Sequence, residues 1–190
     1  SAPQMKNPIT LVVIDPQVDF VSGSLAVSSA HEAMSYLAQW GLEHIEEIES
    51  VVFTSDQHPF DHCSFTSQGG VWPSHCVRYT EGAAITPELL PLVHEVYRRH
   101  IPFCMVEKAT TPERDSYSAF PESVPPAIER AQEIVLAGIA GNYCVLQSLQ
   151  DLIRHGYTSR ITLLSAGIAH IDDGTTLRQF IATQPRLRTC

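Results

Sequence analysis

Positive charge is scarce in this chain: 12 Lys and Arg stand against 21 Asp and Glu, for a formal net charge of −9 at pH 7. A field of that sign repels nucleic acid and anionic membrane surfaces, and no basic run reverses it locally. Long apolar runs are missing too; none approaches the roughly 20 residues that a membrane span requires. The first residues, SAPQMKNP, lack the apolar stretch of a secretory signal. Whether Ser1 and Ala2 precede a native start at Met5 is open in the sequence. Paired cysteines are also lacking: the five (Cys63, Cys76, Cys104, Cys144 and Cys190) are odd in number, irregularly spaced and without a CxxC. That argues against a disulfide framework and for a reducing compartment. The expectation is a cytoplasmic protein with a small-molecule partner and no nucleic-acid or membrane partner. Self-association into a homo-oligomer is a general expectation for such domains.

What is present suits one globular domain over residues 1–190, with 44% apolar and 17% charged residues. Five apolar runs rich in β-branched residues stand out: ITLVVID from Ile9, SVVFTSD from Ser50, PFCMVEK from Pro102, EIVLAG from Glu133 and RITLLSA from Arg160. Continuous hydrophobicity predicts strands buried on both faces, as in a parallel sheet. Between them lie helical spacings. Met34, Leu37, Leu42, Ile45 and Ile48 mark one helix, and Leu89, Leu92, Val93 and Val96 the next. A third is expected from Asn142 to His155, with Val145, Leu149, Leu152 and Ile153 on one face and Gly156 as its stop. Alternating strands and helices predict a three-layer α/β domain, with a weak sixth strand over Arg186 to Thr189. Two long irregular stretches, Asp56 to Gly82 and Lys108 to Pro126, each begin where a strand ends, the edge at which open α/β sheets bind ligands.

The strand ends carry reactive groups. Strand one ends at Asp15, strand two at Asp56 and His58, strand three at Lys108, and strand four runs through GIAGNYC into Cys144. A thiol at a helix N-terminus feels the positive end of the dipole, which favours the thiolate, and the N–H groups there can receive an oxyanion. A cysteine at such a place also packs well as a small apolar residue. Asp15 closes a very apolar strand; desolvation there raises a carboxyl pKa and suits a general base, although Asp before Pro is also a common cap. Lys108 would favour both thiolate and oxyanion, or is simply a surface lysine at a strand exit. Asp56 and His58, with His62 and His75 nearby, offer a carboxylate and imidazoles suited to Zn²⁺, Fe²⁺ or Mn²⁺; with nine histidines in the chain, chance clustering is the alternative.

The runs IDPQVDFVSGSLAV (from Ile14), DQHPFDHCSF (from Asp56), WPSHCV (from Trp72), Lys108 with DSYSAF (from Asp115) and GIAGNYCV (from Gly138) occur together in this order. The pattern resembles the isochorismatase-like cysteine hydrolases, and most of all their nicotinamidase branch. The resemblance implies an α/β/α, Rossmann-like fold with a parallel six-stranded sheet in the order 3-2-1-4-5-6. It implies a catalytic triad of Asp15, Lys108 and Cys144, and an oxyanion hole from Ala140 and Cys144 after a cis Ile139–Ala140 bond. Metal ligands would be Asp56, His58 and His75, with His62 a fourth in some relatives, and no organic cofactor is implied. Phe20, Trp72 and Tyr143 would hold the substrate ring. The activity implied is hydrolysis of a small carboxamide, nicotinamide to nicotinate and ammonia, through a thioester. Alternatives are isochorismate or a carbamoyl or ureido substrate, or a non-catalytic binding protein. The chain departs from the family pattern at Val18, Ala109, Asn142 and Ser165, where asparagine, glycine, aspartate and aspartate are usual.

Overall fold

Residues 7–190 are described by the structure, a computed structural model; Ser1, Ala2 and Met5 lie outside them. Six parallel strands form one sheet: β1 (Ile9–Ile14), β2 (Ile48–Asp56), β3 (Phe103–Lys108), β4 (Glu133–Ile139), β5 (Ile161–Ala169) and β6 (Arg188–Thr189). Their spatial order is β3-β2-β1-β4-β5-β6. The helices are α1 (Val18–Val21), α2 (Ala30–Glu43), α3 (Leu90–Arg98), α4 (Pro126–Glu129), α5 (Cys144–Arg154) and α6 (Thr175–Ala182). Among the described residues no helix is long and apolar enough to cross a membrane.

Alternate side chains of each central strand feed separate cores, as a pleat requires. Leu11 and Val13 of β1 join Val51 and Phe53 of β2 against Met34, Leu37, Leu92 and Val96 of α2 and α3. Val12 and Ile14 join Val52, Ile134 and Leu136 against Val145, Leu149 and Leu152 of α5. Burial on both faces produces the continuous apolar runs of the sequence. Succession reverses between β1 and β4, which opens a crevice at their C-terminal ends. These two strands also approach closely: Gly138 has φ +131°, and a Cβ there would lie 2.2 Å from the Ile14 carbonyl oxygen. Only glycine satisfies both conditions.

Several expected boundaries shift. The first helix stops at Glu43; Ile45 sits in a 3-10 turn and Ile48 opens β2. Leu42 is exposed, because α2 buries a stripe of Ala30, Ala33, Met34, Leu37, Ala38 and Gly41 instead. Leu89 belongs to a 3-10 turn before α3, and the third helix begins at Cys144 rather than Asn142. β3 is an edge strand, so Met105 and Glu107 are exposed and burial on both faces does not hold there. β5 runs on to Ala169, which places Ser165 within the strand, its N–H donating to the Cys190 carbonyl, and puts His170 at the strand end. Gly156, at φ +97°, follows α5 as expected.

Candidate active site

The C-terminal edge of the sheet gathers the groups that the sequence scatters. β1 delivers Asp15, which turns out of its strand with φ 47°. β2 ends at Asp56, β3 at Lys108, and the turn after β4 leads into Cys144 at the start of α5. Asp15, Asp56, Lys108 and Cys144 are all buried. The Lys108 ammonium is their hub: its Nζ lies 2.7 Å from Asp56 Oδ1, 3.0 Å from Asp15 Oδ2 and 3.5 Å from Cys144 Sγ, and it donates to the Ser116 carbonyl at 3.1 Å. A buried cation needs such company, since desolvation without partners is prohibitive. Burial works against the charge, but the two carboxylates outweigh it and hold the Lys108 pKa well above its usual value. It is an ammonium at neutral pH.

Asp15 uses its two oxygens differently. Oδ1 accepts a hydrogen bond of 2.7 Å from the Thr54 hydroxyl, which in turn accepts the Asp15 backbone N–H at 3.1 Å. Oδ2 is in ion-pair contact with Lys108 but, among the described residues, accepts no hydrogen bond. It is the free basic position. Burial raises the Asp15 pKa, with Lys108 opposing and Asp56 reinforcing the rise. Burial also pushes the Cys144 thiol well up, and the nearby Lys108 does not offset it. The helix start therefore does not make a resting thiolate: burial dominates, and the thiol proton must pass to a base before the sulfur can attack.

A second group adjoins the first. Asp56, His58 and His75 each bring one ligand-type atom to within 4.8 Å of the others. The His58 Nδ1–H donates to the Ala109 carbonyl at 2.9 Å and the His75 Nδ1–H to the Pro73 carbonyl at 2.7 Å. A carbonyl only accepts, so both rings carry a proton on Nδ1 and turn Nε2 toward the cluster, the arrangement that outer partners impose on metal-binding histidines. Burial works against a second proton on His58, but the Asp56 carboxylate outweighs it and raises that pKa. His58 Nε2 and Asp56 Oδ2 stand 3.4 Å apart, about the separation of two ligands on one tetrahedral ion with bonds near 2.1 Å. The donor set fits a divalent cation. For Asp56, burial is outweighed by Lys108 and His58, and its pKa is driven well below the usual carboxylate range. Asp15, Asp56 and Cys144 also converge within 4.8 Å, but the Lys108 ammonium already contacts all three.

His62 does not join the cluster. Its Nε2–H donates to the Arg114 carbonyl at 2.7 Å, and its Nδ1 takes the Ser64 hydroxyl at 2.7 Å and the Ser64 N–H at 3.3 Å. Both nitrogens are occupied and the tautomer is the reverse of that in His58 and His75. It stacks on the His58 ring instead, with centroids 3.9 Å apart.

Above these groups lies a pocket open to solvent, with the buried Cys144, Ala140, Asp56, His58 and His75 at its floor. Phe20, Trp72 and Tyr143 line it, and a cis peptide links Ile139 to Ala140. Phe20 packs on His75, with centroids 5.5 Å apart, while Trp72 meets Tyr143 edge-on at 5.3 Å. Sequence reasoning passed over several contributors. Tyr117 accepts the Trp72 Nε1–H at 3.0 Å and completes the aromatic wall. Gln17 is fully buried; its Nε2 donates to the Asp56 and Ala83 carbonyls and its Oε1 accepts the Asp56 N–H. Asp19 accepts the Cys76 N–H at 2.7 Å and so holds the chain beside His75. Gln17, Asp19 and Tyr117 sit inside the motifs already singled out, and polar residues there were the available signal.

The isochorismatase domain model matches residues 10–175. Nicotinamidase of Escherichia coli is 31% identical over 178 residues, covering 79% of this chain and 78% of that protein. Two solved structures resemble this one closely. Pyrazinamidase of Pyrococcus horikoshii in complex with zinc has a TM-score of 0.79 at 27% identity, covering 96% of this chain and 98% of its own. PnC1 of L. infantum in complex with nicotinate has a TM-score of 0.77 at 27% identity, covering 97% and 92%. The chain belongs to the isochorismatase domain family, within which its relatives place it in the nicotinamidase branch.

Proposed function

We propose that this chain is a cysteine-dependent amidohydrolase that converts nicotinamide, or a closely similar heteroaromatic carboxamide, to the acid and ammonia. The observation that carries this is the junction at Lys108: one ammonium touches the thiol, the free carboxylate oxygen beside it and the carboxylate of the adjoining ligand cluster. Asp15 Oδ2 takes the Cys144 thiol proton, and Lys108 stabilises the thiolate as it forms. The sulfur attacks the carboxamide carbon, and the Ala140 and Cys144 N–H groups receive the oxyanion. Asp15 returns its proton to the leaving nitrogen, ammonia departs, and a thioester to Cys144 remains. Water that gives a proton to Asp15 then attacks the thioester; the acid leaves and the thiol is restored.

Asp56, His58 and His75 would hold a divalent cation, with Zn²⁺, Fe²⁺ or Mn²⁺ suiting the mixed nitrogen and oxygen donors. Such an ion supplies a Lewis-acidic point for the ring nitrogen of a pyridine amide, an orienting role. Phe20, Trp72 and Tyr143 clamp the ring beside it. The reaction needs no organic cofactor. We further propose that residues 1–190 act as one domain in the cytoplasm, where the five free cysteines stay reduced, and that the chain can self-associate.

Ammonia release from a panel of aromatic amides, ureido compounds and isochorismate tests this with wild type and Cys144→Ala. The expected result is ammonia from pyridine carboxamides with wild type and none with the variant. Turnover of isochorismate but of no amide, equal in both proteins, would overturn the proposal.

A further inference from the structure

The cavity has a mouth and a floor, and the residues at its mouth are few. Of those that line it, Asp115 and Ile171 are exposed. Ile171, at 42% exposure, is an aliphatic side chain that comes from the loop after β5, far in sequence from the aromatic wall. That wall is braced internally through the Trp72, Tyr117 and Tyr143 contacts. Ile171 is braced differently. Its N–H donates to Asn142 Oδ1 at 3.0 Å. The residue before it, His170, lies so close over Gly141 that a Cβ there would come within 2.0 Å of its ring nitrogen. The Gly141 N–H donates to the Ala169 carbonyl at 2.8 Å. The residues 169–171 are therefore docked on residues 141–142, the turn that carries the nucleophile. On the far side, Asp172 accepts the Gly174 N–H and the Thr176 hydroxyl, which fixes the start of α6.

A residue whose backbone is held at its own N–H, and whose neighbours are held before and after it, presents its side chain from a fixed position. We propose that Ile171 is a specificity-determining residue, an apolar stop at the cavity mouth that limits which ring-substituted aromatic amides reach Cys144, and that Asn142 is the residue that positions it. This rests on the proposed amidase function for its substrate class. The chemistry is steric and dispersive: an isobutyl-sized group at a rim excludes a substituent that would overlap it, and contacts an unsubstituted ring edge. Asn142 acts through one acceptor oxygen, so aspartate in its place keeps the contact and alanine loses it.

The test measures binding and turnover side by side. Dissociation constants for nicotinamide and a set of ring-methylated nicotinamides are determined by titration in the Cys144→Ala background, which cannot turn over. The same compounds are assayed for ammonia release with the reactive cysteine intact. Ile171→Ala should shift the ratio of methylated to unmethylated compound by about tenfold for at least one methyl position, the range expected for one methylene in a pocket. Asn142→Ala should shift the same ratio in the same direction by less, and Asn142→Asp should restore it. A merely structural role for Asn142 would lower kcat for every amide in parallel and leave the ratio fixed. An unchanged ratio in Ile171→Ala, or pyridine amides that do not bind at all, would overturn the apolar stop. If wild type binds these amides but releases ammonia from none, the amidase proposal fails, and the binding ratio still decides the role of Ile171.

Discussion

Asp15 and Asp56 end neighbouring strands, both are buried, and both touch the same ammonium, yet their carboxyls are pushed in opposite directions. The region around Asp15 offers one hydroxyl hydrogen bond and an ion pair at 3.0 Å, too little to offset burial. The region around Asp56 offers a 2.7 Å bond to Lys108 and the His58 imidazole, which together exceed the same burial cost. One carboxylate is thus poised to take a proton and the other is held as a permanent anion. Two titratable groups whose surroundings drive them apart mark an acid–base residue and a fixed charge. The difference lies in what faces each carboxyl: Asp56 has Lys108 at 2.7 Å and His58 beside it, whereas Asp15 has Lys108 at 3.0 Å, one hydroxyl and the opposing charge of Asp56.

The largest effect that would break this contrast is on turnover. Asp15→Asn keeps the shape and removes the proton acceptor, so kcat should fall by roughly 10²–10⁴-fold while KM changes little. Circular dichroism checks that the fold persists. A KM effect without a kcat effect would place Asp15 in binding. Asp56→Ala should show the other pattern: KM for a pyridine amide rises at least as much as kcat falls, by about tenfold or more. KM for benzamide, which has no ring nitrogen, should move less. The variant should also hold less than the one divalent ion per chain expected of wild type by elemental analysis. Loss of kcat alone would contradict an orienting ion.

A smaller effect sharpens the contrast through pH. Protonated Asp15 cannot accept the thiol proton, so kcat/KM should fall as pH drops through its raised pKa, above the ordinary 3.8. The Thr54 hydrogen bond opposes that rise, so Thr54→Val should move the acid limb to higher pH, and Thr54→Ser should return it. A limb that stays in place in Thr54→Val would show that the hydroxyl does not govern the base. Stability follows by linkage with opposite signs. With its folded pKa raised, Asp15 contributes stability fully below 3.8 that is lost as pH rises through the raised value. With its folded pKa lowered, Asp56 contributes above 3.8 and loses that contribution as pH falls through the lowered value.

Much of this geometry is visible in sequence, for a physical reason. Residues at the ends of parallel strands share one edge whatever their separation, so the last residues of three apolar runs gather Asp15, Asp56 and Lys108, and the turn after the fourth brings Cys144 to them. What escapes notice depends on contacts that no local pattern records. Thr54 reads as β-branched strand filler until its hydroxyl meets Asp15, 39 residues away. His62 has the right residue type and spacing for a ligand, but a carbonyl 52 residues away sets its tautomer. The helix start is legible at Cys144, but the burial that pushes its thiol pKa up depends on packing that the local sequence does not record. α6 is only eight residues long, and its stripe of Leu177, Phe180 and Ile181 is three residues set among polar neighbours, with Leu177 alone buried, so it is a weak pattern to read. β5 continues past exposed Ser165 and Ala166, which interrupt the apolar run that marked it.

The smallest effect separates strain that carries a function from strain that does not. Asp15 and Ala109 both leave their strands with left-handed backbone, at φ 47° and 51°. Such a conformation costs a residue with a Cβ about 1–2 kcal/mol. At Asp15 that cost aims a carboxylate at Lys108 and Cys144. At Ala109 the working atom is the backbone carbonyl that accepts the His58 Nδ1–H, and the methyl group adds only the strain. Ala109→Gly removes the methyl and keeps the carbonyl. The gain is partly offset by the greater freedom of glycine in the unfolded chain, worth roughly 0.5–1 kcal/mol. The net expectation is a stabilisation of about 0.5–1 kcal/mol, or roughly 1–4 °C in Tm for a chain of this size, measured by calorimetry. A lower Tm would mean that the Ala109 methyl makes a contact worth more than its backbone strain, and the two left-handed positions would then not differ in the way argued.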